Sequence, residues 1–412
     1  MAHAVDRSDT SELFITYLAL FGLYFLLVKF ESFWSWKRII LAGILFRMVS
    51  LFATPNLSDD YYRFLWDGRV IVNGGDVYSS TPEQLKEHAD FQTEDLYEGV
   101  NSKGYFTVYP PVNQFFFALA AFFGGDTLPR GILLLHLFML LGEVGALFLL
   151  SRYLSQLNYG TKGLMLYAFN PLVIVEVCGN LHFEGWMITL LLAALVLYKQ
   201  KQVFWSAVCF GLAVMTKLLP LILLPALIPV LRKQSIFYFS VLTLALFVCL
   251  LPFFSTDLFL SMASSLDLYF RTFEFNSSVY YVVREIGELF LGYHPPIALV
   301  GPVLSVISFL LILLISWLTK WSFHKKAFWV FMCYFLLTTT VHPWYILMPL
   351  LFSVLSKSPV GVVWSCVVVL SYSHYSNGGF QENYWLIVLE YLLVFAFAMF
   401  PSKLQNFLFK TA

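Results

Sequence analysis

Long apolar runs separated by short polar turns recur along the whole 412-residue chain. Many approach the roughly 20 residues that an α-helix needs to cross a ~30 Å hydrocarbon layer. Runs such as LLHLFMLLGEVGALFLL do not alternate between apolar and polar residues, as the strands of a membrane barrel would. The pattern therefore predicts an all-α membrane protein, a polytopic helical bundle. The predicted membrane segments are 13–28, 39–54, 131–150, 163–178, 185–198, 203–216, 218–231, 236–254, 296–319, 327–341, 343–356, 359–375 and 384–400.

Two longer hydrophilic stretches, 55–111 and 255–295, interrupt this pattern. The first carries ten Asp and Glu against four Lys and Arg, so it must face water rather than hydrocarbon. We find no low-complexity segment and no separate soluble domain. The expected organisation is a single membrane domain over 1–412, with the two hydrophilic stretches as ordered outer loops.

Lysine and arginine collect at one set of turns, and cytoplasmic loops are enriched in these residues. Thirteen crossings, with the N-terminus outside and the short apolar segment 112–123 only dipping into the membrane, put every basic cluster in the cytoplasm. A competing count makes 112–123 a crossing and 203–231 a single span. We favour the first count, because the second exports Arg152, Lys162, Lys199 and Lys201.

Composition agrees with a membrane protein. Hydrophobic residues make up 59% of the chain and charged residues 12%, about half the fraction typical of soluble domains. The net charge is zero, so nothing suggests a nucleic-acid partner. All five cysteines lie within apolar runs, and we expect them to be small core residues without disulfides.

The adjacent carboxylates Asp59 and Asp60 follow directly after an apolar run. The simple interpretation is a surface helix capped by Ser58. The alternative is chemistry, because two neighbouring carboxylates repel and can raise the pKa of one toward the range of a general base. In a helix that starts here, Asp60 shares a face with Arg63 and Asp67, and each Asp would have a cationic neighbour. We predict that Asp59 or Asp60 is a general base and lean toward Asp59.

Lys217 lies within the otherwise uncharged stretch 203–231. It either extends to the membrane surface from the end of a span or binds a phosphate. His182, Glu184 and His342 lie at predicted outer turns, where they are either hydrogen-bonded structural residues or substrate ligands. A His, Asp and Glu set could also hold a divalent ion, although no tight metal-binding spacing occurs and no cofactor is certain.

Four ionisable residues lie inside predicted spans: Arg47, His136, Glu143 and Glu176. Unpaired charge is disfavoured in hydrocarbon, so we expect them to be paired. His136 and Glu143 are seven residues apart and fall on one helical face, with Arg47 as a candidate partner. We interpret them as structural, with proton relay as the alternative.

Short motifs in 55–345 resemble those of a known family. SDDYYRFLWDGRVIVNGGDVYSSTP followed by YPPVNQFFF is similar to the first outer loop of bacterial GT-C class polytopic glycosyltransferases, which include polyprenyl-phosphate-mannose-dependent mannosyltransferases. This chain has Leu-His-Phe-Glu at 181–184, where relatives carry a Gly-His-Asn-Asp-like string. The further similar motifs, in order, are Asn170-Pro171-Leu172, Gly179-Asn180-Leu181-His182-Phe183-Glu184, Thr216-Lys217-Leu218-Leu219-Pro220, Phe275-Asn276-Ser277-Ser278 and His342-Pro343-Trp344-Tyr345.

The resemblance implies transfer of a sugar, mannose above all, from a polyprenyl phosphate to an acceptor hydroxyl on a lipid or glycan. It further implies inversion at the anomeric carbon and an active site on the extracytoplasmic side of the cell membrane. A lipid phosphate leaves without a general acid, so one carboxylate base and cations for the phosphate suffice. The residues expected to bind substrate are Arg63, Lys217, His182, Glu184, Arg271, Asn276, His342 and Trp344.

Two other functions compete with this one. A lipid or glycan transporter or flippase would need alternating access and internal repeats, and we find no duplicated half with interrupted spans. A ligase or polymerase would share the outer cavity but use a diphosphate-linked donor.

Overall fold

The computed structural model describes residues 5–86, 94–125, 127–254, 260–261, 263–265, 267, 272–378, 380–400 and 402–409. Parts of both predicted outer loops, including Arg271, lie outside these residues. The described part is all-helical, and its strand pairing is limited to one bridge between Phe275 and Thr340. The predicted all-α class is confirmed.

The helices divide into long apolar ones and shorter ones. They are α1 (Thr10–Lys29), α2 (Trp36–Met48), α3 (Asp60–Val72), α4 (Pro82–Leu85), α5 (Glu94–Gly99), α6 (Pro111–Gly124), α7 (Leu128–Gln156), α8 (Thr161–Ala168), α9 (Pro171–Val173, continued by the π-helix Ile174–Gly179), α10 (Glu184–Lys199), α11 (Val203–Val214), α12 (Leu224–Leu231), α13 (Ser235–Leu250), α14 (Val279–Leu291), α15 (Ile297–Leu318), α16 (Phe323–Leu337), α17 (Leu347–Ser356), α18 (Val360–Val367), α19 (Tyr384–Met399) and α20 (Ser402–Phe409).

Several helices have the length and composition of membrane spans. Within the described residues there are four, namely α1, α7, α15 and the stretch Leu219–Phe253 that includes α12 and α13. Counting α8 with α9, and α19 with α20, as broken spans raises the number to six. This agrees with a membrane protein. Thirteen crossings stay a prediction, because segments such as α6 and α11 are apolar but only 14 and 12 residues long.

A buried ion pair lies among α2, α7 and α8. Arg47 Nε donates a hydrogen bond of 2.8 Å to Glu143 Oε2, and Tyr167 Oη donates one of 2.9 Å to Glu143 Oε1. Both charged side chains are fully buried. The predicted pairing of Arg47 with Glu143 is confirmed. His136 instead lies 2.8 Å from the carbonyl of Ala53 through its Nε2.

Basic residues from distant parts of the chain meet at one end of the bundle. Lys162 Nζ lies 3.2 Å from a Glu31 carboxylate oxygen, at the turn between α1 and α2. Lys357, after α17, stacks 4.1 Å above the ring of Tyr159. Tyr198 Oη, at the end of α10, donates to the carbonyl of α12 residue Val230. We call this region, which includes the turns around 31, 159, 200, 232, 324 and 357, the basic end.

Helix α3 packs closely against α6, which begins at a proline suited to a first helical position. Phe64 and Phe117 stack with ring centroids 4.5 Å apart. Beside them, a Cβ atom on Gly68 would lie 2.1 Å from the carbonyl oxygen of Phe117. Only glycine allows this approach, which sets the position of the α3 N-terminus and therefore of Asp60.

We predict that Gly68→Ala destabilises the protein by about 1–3 kcal/mol, the usual range for overpacking a close contact. The matched control is Gly22→Ala within α1, where a Cβ meets nothing within 4 Å. Alanine is the better helix former there, so the control should be neutral or stabilising by up to about 1 kcal/mol. Thermal unfolding of the two variants in detergent measures the difference, and equal midpoints would contradict this account of the α3–α6 contact.

Candidate functional site

The predicted site residues meet at the end of the bundle opposite the basic end. Helix α10 connects the two ends, since it starts at Glu184 and finishes at Lys199. Asp60 starts α3, Lys217 follows α11, and His342 follows α16. Side chains from four separate turns therefore share one region. The prediction that these residues lie at turns on the same side of the membrane requires this.

Lys217 lies at the centre of this region. Its Nζ donates a hydrogen bond to Oε1 of Glu184, whose side chain is fully buried, and it lies 5.9 Å from the centroid of the Tyr345 ring. The chain reverses here because α11 ends at Val214 and a 3₁₀-helix with Pro220 in its first turn follows. A fifth of the Lys217 side chain stays exposed, so its ammonium can still reach a ligand.

The second carboxylate oxygen of Glu184 has a different environment. Oε2 is buried and has no hydrogen-bond partner among the described residues. Buried polar atoms are nearly always paired in folded proteins. The Glu184 carboxylate therefore has an unused acceptor facing the same region as Lys217.

The two adjacent aspartates have different surroundings. Asp59 forms an ion pair of 2.7 Å with Arg7 Nη2, and its side chain is about one third exposed. Asp60 is half-buried and accepts a hydrogen bond of 3.2 Å from Tyr109 Oη and a long one of 3.5 Å from Asn101 Nδ2. The carboxylate of Asp60 is thus bound by residues that precede α6, whereas that of Asp59 is paired with the N-terminal segment.

The pKa of Asp60 is raised above the usual value of an aspartate. Burial is the largest cause, and the charge of Lys217 together with the hydrogen bonds from Asn101 and Tyr109 opposes it. Repulsion by Asp59 is the smallest contribution. The sequence argument expected the neighbouring carboxylate to raise the pKa, but desolvation is the larger effect, and this depends on tertiary packing.

Helix α3 begins one residue later than the proposed Ser58 cap implies. Asp59 occupies the N-cap position without a side-chain hydrogen bond, and Ser58 Oγ accepts a hydrogen bond of 3.3 Å from the backbone N–H of Asp60. Ser58 still satisfies one free N–H of the first turn. The carboxylate of Asp60 therefore projects from the first helical residue, where the helix dipole favours negative charge.

Arg63 binds the loop after α5 rather than Asp60. Its Nε donates a hydrogen bond of 2.7 Å to Asp67 Oδ1, and its Nη1 donates to the carbonyls of Ser102 and Tyr105 at 3.1 and 3.0 Å. Arg63 shares a helical face with Asp60 and Asp67, as expected, and the carboxylate with which it pairs is that of Asp67. Arg63 instead positions the loop that carries Tyr109.

Three aromatic side chains form a stack beside Lys217. The rings of His182 and Trp344 lie 3.7 Å apart, and those of Trp344 and His342 lie 4.4 Å apart at an angle of 6°. Burial and the charge of Lys217 lower the pKa of both imidazoles, that of His342 to about 3. Both histidines are therefore neutral near pH 7, and Trp344 packs between them.

Glu176 lies directly behind His182, although the sequence indicated only a structural role within a span. Its Oε2 is 3.5 Å from His182 Nε2 and accepts a hydrogen bond of 3.1 Å from Asn180 Nδ2, while Oε1 accepts one of 2.9 Å from Tyr372 Oη. The π-helix that contains Glu176 turns it toward the site. Such π-turns are frequent at functional sites, but apolar periodicity does not reveal them.

Asn276 is fully buried and adopts a positive φ of 47°. Its backbone N–H donates 2.8 Å to Glu382 Oε1, and its Nδ2 donates 3.2 Å to Glu390 Oε1. These contacts favour a structural role over substrate binding. Arg271 lies outside the described residues, and Arg284, in the same predicted loop, pairs with Glu274 at 2.7 Å.

Sequence reasoning did not assign Arg7, Asn101, Tyr109 or Glu382 to the site. Tyr109 belongs to the YPP motif, and its position before an apolar helix was the available signal. The sequence held no signal for Arg7 and Asn101, because their contacts with Asp59 and Asp60 join distant parts of the chain.

The idea of a divalent ion held by the outer histidines and acids finds no matching geometry. Among the described residues, the His, Asp and Glu groups compact enough to share one ion do not include His182, Glu184 or His342; the group that qualifies is the exposed set Glu285, Glu288 and His294. Glu184 is also paired with Lys217. The side chains at the site are arranged around an ammonium instead.

Comparison with known proteins identifies a family. Residues 4–233, more than half of the 412-residue chain, match the family described as alpha-(1->6)-mannopyranosyltransferase, N-terminal domain. The matched part includes Asp59, Asp60, His182, Glu184 and Lys217, whereas the stack partners His342 and Trp344 lie beyond it. No curated protein matches the chain.

Proposed function

This chain belongs to the alpha-(1->6)-mannopyranosyltransferase family, and we propose that it transfers mannose from a polyprenyl-phosphate donor to a hydroxyl of a lipid or glycan acceptor. The observation that carries the proposal is that Asp60 and Lys217 lie at the same end of the bundle, where the charge of Lys217 acts on the Asp60 carboxylate. This supplies one proton acceptor and one cation, and transfer from a lipid phosphate requires both.

Asp60 acts as the general base in this proposal. The acceptor hydroxyl gives its proton to the Asp60 carboxylate while its oxygen forms the bond to the anomeric carbon. The bond from that carbon to the phosphate oxygen breaks, and the phosphate leaves with the electron pair. A single displacement of this kind inverts the anomeric centre. Asp59 fits the role less well, because its carboxylate is engaged by Arg7 and lies toward solvent.

Lys217 stabilises the leaving phosphate. Its ammonium lies in a largely enclosed region, where a charge is worth more than in water. The buried Glu184 holds it in place through the ion pair. Neutral His182 and His342 add no further positive charge, and with Trp344 they form an aromatic wall beside Lys217.

We place the reaction on the extracytoplasmic face of the cell membrane. The basic end of the bundle matches the enrichment of Lys and Arg in cytoplasmic loops, so the site lies at the other face. The predicted thirteen crossings, with the N-terminus outside, give the same orientation. Nucleotide sugars are not supplied there, which favours a lipid-linked donor that can approach between apolar helices.

We expect Asp60→Asn to lower transfer by about 10²–10⁴-fold, the usual contribution of a general base. Asp59→Asn is the matched control, with the same chemical change one residue away, and should keep most of the activity. Mannose transfer from synthetic polyprenyl-phosphate mannose, with both variants checked for normal thermal unfolding, measures the effect. Equal activity of the Asp60 variant and the parent protein would refute the base assignment.

A pH profile tests the Asp60 environment. A base works only when deprotonated, so activity falls as the pH drops through the pKa of Asp60. The Tyr109 hydrogen bond lowers that pKa. Tyr109→Phe should therefore raise it and move the acid limb of kcat/KM about one pH unit higher. Tyr105→Phe, in the same loop, has a half-exposed ring and should leave the profile unchanged; a shift in both variants or in neither would contradict the assignment.

Cysteine labelling in intact cells tests the orientation. In a protein whose five native cysteines are replaced by alanine, Glu98→Cys lies at the site end and Lys37→Cys at the basic end, and both positions are exposed. A membrane-impermeant maleimide should label position 98 directly and position 37 only after permeabilisation. The reverse pattern would overturn the topology and the lipid-linked donor together.

A further inference from the structure

A cavity lies at the basic end, away from the candidate active site. It encloses about 520 Å³ between the ends of six helices, α7, α10, α11, α12, α13 and α16. This is within the range of about 300–1,000 Å³ that is common for small-molecule sites. Along α10, Lys199 at the cavity is 15 residues from Glu184 at the active site, a separation of roughly 22 Å.

The inner wall of this cavity is mainly apolar. Phe210 and Leu227 line it, and both side chains are buried. The few polar groups farther in already have partners, since Ser206 Oγ donates 2.8 Å to the carbonyl of Ala194 and lies 3.3 Å from Tyr238 Oη. The inner part of the cavity therefore suits a hydrocarbon chain.

The mouth of the cavity is cationic. Lys199 and Lys201 line it and are exposed. Nearby, His324 Nε2 and Tyr153 Oη lie 2.7 Å apart. A phosphate at the mouth would meet two ammonium groups and these two polar rings.

The surrounding chain offers no carboxylate to these lysines. Residues 144–175, 185–256 and 289–381 contain no Asp and no Glu, and they supply every residue that lines the cavity. The nearest acid along α7, Glu143, lies ten residues before Tyr153 and is paired with Arg47. The positive charge at the mouth is thus built without an acidic neighbour in sequence, which favours an anion from outside the protein.

We propose that this cavity binds an anionic phospholipid of the leaflet that meets the basic end. The phosphate would lie between Lys199 and Lys201, and one acyl chain would run inward along Phe210 and Leu227. Free phosphate would use the lysines alone and leave the apolar wall empty, whereas an amphiphile matches both parts. Basic pockets between membrane helices on the cytoplasmic side commonly hold acidic headgroups. This site is independent of the proposed mannosyl transfer.

Lipid titration of the purified full-length protein tests the proposal, with thermal stability and native mass spectrometry as readouts. Phosphatidylglycerol should bind and raise the unfolding midpoint, whereas phosphatidylcholine and inorganic phosphate should not. The double variant Lys199→Gln/Lys201→Gln should weaken phosphatidylglycerol binding about thirtyfold, from roughly 1 kcal/mol per cation. The matched control is Lys29→Gln/Lys37→Gln, which removes two exposed charges at the same end, away from the cavity, and should leave binding unchanged.

A filling variant tests the apolar part separately. Leu227→Trp should block the acyl chain and abolish binding while both lysines remain. The lysine variant changes only exposed side chains, so it remains informative if Leu227→Trp does not fold. Equal binding of phosphatidylcholine, displacement of the lipid by inorganic phosphate, or identical behaviour of the lysine variant and its control would each overturn the proposal.

Discussion

The ion pair between Lys217 and Glu184 is the contact on which the candidate site depends. Lys217 is the one charged residue in 203–231, and Glu184 is fully buried, so either side chain alone would leave an uncompensated charge that costs several kcal/mol. Together they join the turn after α11 to the start of α10. The charge of Lys217 also opposes the burial-induced rise in the Asp60 pKa and helps to keep His342 neutral. This one contact therefore holds the two turns together and places the charge that acts on the pKa of Asp60 and His342.

Polar and charged residues of different types lie at the two ends of the helical bundle. The site end carries acids, two neutral histidines and Lys217, and its arginines Arg7, Arg63 and Arg284 are each paired with a carboxylate. The basic end carries Lys162, Lys199, Lys201 and Lys357. Between the two ends, the buried charges of Arg47 and Glu143 neutralise each other in an ion pair. The proposed transfer from a lipid carrier fits this arrangement, because the reaction would occur at an aqueous edge while the lipid tail stays in hydrocarbon.

His182, Glu184, Lys217 and His342 meet at one end of the bundle, as their predicted positions at turns suggested, because successive helices return the chain to the same end. That this end is the outer one stays a prediction. The sequence could not choose between the two aspartates, and the preference for Asp59 came from position alone. That choice rests on contacts across long sequence separations: Arg7 engages Asp59, and Tyr109 engages Asp60. Arg63 also shows the limit of helical periodicity, since its guanidinium binds the loop after α5 instead of Asp60.

By itself, the sequence determined the helical class, the membrane environment and the turns at which the candidate site residues lie, because apolar run length and charge placement are local properties with a direct physical meaning in a bilayer. Only the tertiary structure decided which carboxylate is enclosed, how Trp344 lies between two imidazoles, and that a cationic cavity forms between α10 and α12. Desolvation, ring stacking and cavity shape arise from side chains that are far apart along the chain. No local pattern encodes them.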